Sequence, residues 1–146
     1  MRRIVTGARE GRSHLLSVES VPETPWSTLW SAGPKTPLGT DCGMQPGRFP
    51  EGPGHTVWTI VSVPPLEDMR AALAASGSGV DPDGFHLTNT IDYVVVLDGA
   101  ITLKLDDEEI VVQPGDLVVQ RNTNHAWHNH NAHPVRLLAL MNGIAP

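Results

Sequence analysis

The sequence predicts an all-β domain, a barrel or sandwich of short strands with one helix and an N-terminal arm. Three observations carry that expectation. Strand-like pieces follow one another after Gly84 with no helix between them: Phe85–Thr88, Ile91–Leu97, Ala100–Leu105, Ile110–Gln113, Leu117–Gln120, Ala126–His130 and Val135–Met141. Turn chemistry separates several of them, at Asp98-Gly99, at the acidic tip Asp106–Glu109 and at Pro114-Gly115-Asp116. Ile101, Leu103 and Leu105 alternate with Thr102 and Lys104, which turns one side of that strand inward. Short strands at this spacing build barrels and sandwiches.

The earlier part of the chain reads differently. Arg3–Thr6 and His14–Glu19 are two short β-like runs with Gly7 and Gly11 between them. From Pro22 to Gly54, thirteen of thirty-three residues are Gly or Pro, a density that excludes long helices and central strands. Trp26, Trp30 and Phe49 in that stretch are costly to leave in water, so it reads as an ordered arm across the barrel or a partner subunit. In TVWTIVSVPP, Val57, Thr59, Val61 and Val63 alternate with Trp58, Ile60 and Ser62, a strand expected to be buried on both faces. The one helix starts at Pro65, carries Glu67 and Asp68 in its first turn and ends before Gly77. Leu66, Met69 and Leu73 make its apolar stripe, among alanines that favour helix. One domain results: strands and arm over 1–55, strand and helix over 56–83, and the strand-rich core over 84–142.

Composition narrows the function. The 146 residues suffice for one domain with a real core, and 40 % of them are apolar, near the globular norm. No run approaches the roughly 18 apolar residues that span a bilayer. The two N-terminal arginines have no apolar stretch behind them, so no secretory signal is expected. Cys42 is the single cysteine; it has no internal disulfide partner, which suits a cytoplasmic protein, and a passive small residue is a commoner role for it than a nucleophile. The net charge is −6 with no basic cluster beyond those arginines, so nucleic acid has little to bind. A small neutral or anionic organic molecule is the better partner.

Candidate site residues follow from parity. Side chains on a strand alternate faces, so His86, Thr88 and, if the chain stays extended, Asp92 point one way. His125, Trp127 and Asn129 form a second set, which turns His128 and His130 to the opposite face, as surface or interface histidines. Two histidines and a carboxylate from neighbouring strands are the ingredients of a facial metal triad. Each also has a plain alternative: Asp92 as a loop end, His86 as a satisfied core histidine, His125 as part of a surface turn. Tyr93 should face away from the site and pack. Trp127 could wall a pocket, and Arg121 could pair with a carboxylate or remain a solvated loop charge.

GFHLTNTIDYVVVLDG resembles the first sequence motif of the cupins, with His86 at its first histidine, Asp92 at its acidic position and Gly99 at its closing glycine. PGDLVVQRNTNHAWHN resembles the second, through Pro114, Gly115, Asp116, His125 and Asn129. The resemblance covers residues 84–142 and implies a cupin-type β-barrel, a double-stranded β-helix of jelly-roll kind, commonly a homodimer packed through N-terminal strands. It also implies a cavity site that holds Fe, Mn, Ni or Zn, or no metal. Three departures stand out: Thr88 replaces the motif's second histidine, Asp92 is shorter than its glutamate, and Gln120-Arg121-Asn122 replaces Pro-x-Gly. Three readings stay open at this point. His86, Asp92 and His125 hold a divalent metal with Thr88 beside a bound water, and the site runs dioxygenase, isomerase or lyase chemistry. Alternatively Asp92 is a metal-free general base with His86 or His125 as its acid partner. In the third, the pocket only binds a ligand. Thr88, Trp127, Asn129 and Arg121 are the expected substrate contacts.

Overall fold

The computed structural model describes residues 1–36, 48–77 and 79–145. Cys42 and the middle of the arm lie outside the described residues. In chain order the elements are β1 (Arg2–Arg9), β2 (Arg12–Ser20), β3 (Trp26–Ala32), β4 (Thr56–Val63), α1 (Leu66–Ser76) and β5 (Thr90–Val96), followed by β6 (Ile101–Lys104), β7 (Glu109–Val112), β8 (Leu117–Arg121), β9 (Ala126–His128) and β10 (Val135–Gly143). They form a β1–β2 hairpin, a five-stranded sheet in the order β3-β4-β10-β5-β8 and a three-stranded sheet in the order β7-β6-β9. The pairings in both larger sheets are antiparallel.

The two larger sheets enclose one core. Val94, Val96, Leu137 and Met141 of the first meet Ile101, Leu103 and Val112 of the second in a single buried cluster. β5 shows why these residues form a strand. It is rich in β-branched side chains, and Thr90, Asp92, Val94 and Val96 turn inward while Tyr93 remains 49 % exposed outside. The all-β fold expected from sequence is present, its strands arranged among the described residues as two facing sheets not joined into one closed barrel.

One expectation is refined and one corrected: the Gly/Pro-rich stretch supplies no central strand but does supply an edge strand. The segment WSTLWSA inside the Gly/Pro-rich stretch is itself a strand, β3, at the edge of the five-stranded sheet. Its seven residues contain neither Gly nor Pro, so the average over the longer stretch concealed it. Trp26 of β3 packs against the core, with Phe49 5.2 Å away and the Arg48 guanidinium 4.8 Å over its ring. β4 is not covered on both faces throughout: Ile60 is buried on the outer side, but Trp58 is 40 % exposed.

The helix occupies its expected place between Pro65 and Gly77. Gly77 ends it at φ 59°, a left-handed conformation that a residue without Cβ adopts freely. Only Leu66 is buried, and its N–H donates to the Asn129 carbonyl at 2.8 Å. Arg70 bonds Asp83 through Nε at 2.9 Å and Nη2 at 2.6 Å, tying the helix to the loop that leads into the site. Past β5, Gly99 turns the chain at φ 68°, and a Cβ there would lie 2.7 Å from the Val135 Cγ2. The neighbouring Asp98 accepts from the Arg136 main-chain N–H at 2.8 Å and from its Nε at 2.6 Å, which fixes the start of β10 against that turn.

Candidate functional site

At one end of the sandwich the inward side chains change from aliphatic to polar. Across the sheet, Val94 and Val118 make one inward pair, and the next pair towards the end is Asp92 and Gln120. His86 and His125 close this end. Their main chains form an isolated antiparallel bridge, each N–H donating to the other's carbonyl at 3.0 Å. Opposed residues project to the same face. The two imidazoles accordingly lie with centroids 4.4 Å apart, inclined by 54°.

Hydrogen bonding sets their tautomers. Nδ1 of His86 is 2.9 Å from the Gly84 carbonyl, and Nδ1 of His125 is 2.8 Å from the Thr123 carbonyl. A carbonyl accepts only, so in the neutral rings both Nδ1 atoms carry the hydrogen and both Nε2 atoms present a lone pair. His125 is buried while His86 is exposed. Burial is the main influence that holds the His125 imidazole below its ordinary pKa, and the adjacent His86 adds to it against the Thr123 bond. A neutral imidazole with Nδ1 fixed on a carbonyl is the form in which histidine ligates metals.

Asp92 is 7 % exposed, and burial pushes its carboxyl above the usual range, against the opposing effects of the Thr90 hydroxyl and His86. Thr90 is in turn 2.7 Å from the Thr88 hydroxyl, so a short hydroxyl chain leads to the carboxyl. Asp92 Oδ1 is buried without a hydrogen-bond partner among the described residues. Trp127 stands edge-on to His125, centroids 6.5 Å apart, and its other side packs on the core.

The structure brings His86, His125 and Trp127 together, with Asp92 facing inward from β5 and Thr88 at the head of the hydroxyl chain. The other two expected substrate contacts lie elsewhere. Arg121 is exposed, on the opposite side of β8 from the inward Gln120. Asn129 is 1 % exposed, and its amide is taken up by protein groups. Nδ2 donates to the carbonyls of Val63 at 2.9 Å and His133 at 2.8 Å, while Oδ1 accepts from Asn131 twice. It is a clasp between strand ends. His128 does turn away from the site but is not a surface residue: it is 6 % exposed, with Nε2 2.9 Å from the Asp83 carbonyl. The loop ahead of His86 covers it.

Gln120 is the site residue that sequence reasoning passed over. It shares the parity of Val118, which was the available signal, and in sequence it reads only as the last residue of the Leu117–Gln120 strand. No three His, Cys, Asp or Glu side chains among the described residues converge closely enough to hold a cation as they stand. Two of the three expected donors are arranged for one, and the third is not drawn in. Concavities of about 610 and 410 Å³ open on the outer side of the five-stranded sheet, beside Ile60 and under β1, and neither is lined by His86, Asp92 or His125. Among the described residues no helix is long and apolar enough to cross a membrane.

Residues 75–141 match the family model described as "Cupin domain". A curated relative, the phomopsin biosynthesis cluster protein C' of Diaporthe leptostromiformis, is 40 % identical over 80 residues, 52 % of this chain and 42 % of that protein. The cupin-domain-containing oxidoreductase fogC of Aspergillus ruber is 44 % identical over 45 residues, 30 % of this chain and 22 % of that protein. The chain thus matches less than half the length of these relatives. Among solved structures, an RmlC-like cupin family protein from Methanocaldococcus jannaschii, with a double-stranded β-helix fold, aligns at 16 % identity and a TM-score of 0.45. That alignment covers 63 % of this chain and 73 % of the other.

Proposed function

We propose, from the match of residues 75–141 to the cupin-domain model, that the chain is a cupin whose polar end is a small-molecule enzyme site, with His86, His125 and Asp92 as ligands of a divalent transition metal. The observation that carries the proposal is the paired tautomer: both Nδ1 atoms rest on carbonyls, leaving two Nε2 lone pairs on adjacent rings. The partnerless Asp92 Oδ1, facing the interior from β5, would supply the anionic third donor once drawn towards them. Nitrogen and carboxylate donors in this ratio suit Fe(II), Mn(II), Ni(II) or Zn(II). A bound ion of this kind supplies a Lewis-acidic centre that polarises an oxygen atom of the substrate.

The protein's own contribution is position and proton control. The main-chain bridge fixes the imidazoles, and Trp127 offers a flat wall to an organic substrate. Thr88 and Thr90 orient the Asp92 carboxyl from one side. Fungal relatives named for biosynthesis clusters, and one named an oxidoreductase, support action on a small oxygen-bearing molecule by oxidation, isomerisation or lysis.

One observation favours a second reading. Asp92 is buried, has its pKa raised and keeps an oxygen free, which are the properties of a general base. Without metal Asp92 would take a proton from one atom of a bound substrate and return the same proton at another. A site that only binds its ligand would show neither metal dependence nor turnover.

Elemental analysis of protein purified without added metal separates the readings. We expect about one divalent ion per chain. His86→Ala and His125→Ala should lose it, while His128→Ala, on the far face, should keep it. Metal-free wild-type protein that cannot be loaded with any of the four ions would overturn the metal assignment.

A further inference from the structure

Gln120 lies directly opposite Asp92 in the β5–β8 ladder, and both side chains face the interior, 5 % and 7 % exposed. Side chains so paired stand with Cβ atoms about 4.5–5.5 Å apart. The two nevertheless do not bond to each other. Gln120 Nε2 is buried without a hydrogen-bond partner among the described residues, and so is Asp92 Oδ1. An open donor and an open acceptor therefore sit side by side in a water-poor place, at the level of the imidazole pair.

The chemistry that would satisfy both atoms at once is narrow. One group would have to accept from an amide N–H and donate to a carboxylate. A ketone only accepts, an ammonium only donates, and a carboxylate accepts while being repelled by Asp92. A hydroxyl does both through one oxygen. The Trp127 ring, edge-on to His125 6.5 Å away, favours a planar carrier for that hydroxyl.

We propose that Gln120 is a substrate-reading residue, and that Gln120 and Asp92 together receive the hydroxyl of a phenol or enol. Nε2 of Gln120 donates to the hydroxyl oxygen, and Asp92 takes its hydrogen bond. The assignment rests on reading this end of the sandwich as a small-molecule site, and it does not depend on a metal. It names a residue outside the two histidines and the acid, at a position where the second motif has proline.

Phenol and toluene are suitable probes, because they match in shape and differ in one hydroxyl. NMR titration of the full chain, as purified and again after dialysis against a chelator, measures both affinities. We expect wild-type protein to prefer phenol by about tenfold or more. Gln120→Met keeps the length without the amide and should bring the ratio within about threefold of unity. Gln120→Glu replaces the donor with an acceptor and should do the same, which covers the case in which Gln120→Met fails to fold. A wild-type protein that binds neither probe, or binds both alike, overturns the proposal. So does a preference that survives in either folded variant, as it would if Gln120 simply turned to bond Asp92 or if water filled the gap. Metal content in the same samples keeps the two assignments apart. Phenol preference in a protein that never takes up metal removes the metal assignment and leaves Gln120 standing. Bound metal without phenol preference does the reverse.

Discussion

Asn129 donates its side-chain amide to the main-chain carbonyl of Val63, 66 positions earlier in the sequence. The same side chain also holds His133 and Asn131, so one buried residue joins the end of β4 to the turn before β10. The helix start hangs from the Asn129 carbonyl as well. An asparagine at the end of the second motif is here part of the frame that carries the site.

Replacing Asn129 with Ala should therefore cost stability without touching chemistry. The change strands the buried Val63 carbonyl and gives up the part-buried bond to His133, and we expect a loss of about 2–3 kcal/mol. Urea denaturation measures it. Metal content and probe binding of the folded variant should match wild type, and loss of either at full folding would return Asn129 to the site.

Asp92 should make the metal-free protein less stable as pH rises. Its folded pKa is raised above the ordinary 3.8 by burial, so the folded chain holds this proton more tightly than the unfolded chain. The resulting stabilisation is complete below the unfolded value and is lost as pH climbs through the raised folded value. Asp92→Asn, neutral throughout, should exceed wild type in urea midpoint near pH 7 and match it in strong acid. Both midpoints are to be taken with chelator present. Equal midpoints near neutrality would show that the carboxyl is solvated.

His125 works in the other direction. Its folded pKa is held below the ordinary 6.5, chiefly by burial, so the unfolded chain binds this proton more readily. The contribution to stability is present above the unfolded value and falls away as pH drops from there through the depressed folded value. A His125→Gln variant should flatten that segment of the stability–pH curve. An unchanged slope in the variant would mean another group titrates there.

Much of this arrangement is legible in the sequence, and what is not has physical causes. Parity alone orients Asp92 inward, Tyr93 outward and His128 away from His125, because alternation is a property of a single strand. Pairing is not. That Gln120 faces Asp92 depends on the β5–β8 register, which joins residues distant in the chain, and a polar residue before a loop gives no local sign of burial. The same limit applies to His128, covered by a carbonyl 45 positions earlier. β3 was hidden by averaging, since seven strand-forming residues sit between Gly- and Pro-rich neighbours.

The bridge between His86 and His125 stands outside every strand, held by one reciprocal pair of main-chain bonds. Val94, by contrast, is laddered on both sides within the five-stranded sheet. Local opening at the bridge thus breaks far less structure than global unfolding does, and this end of the molecule belongs to its least cooperative part. Each such excursion separates the imidazoles and uncovers the interior beside Asp92, so fluctuation and ligand entry share one route. A ligand bound across the histidines would slow that breathing, and amide protection at residues 86 and 125 would report occupancy directly.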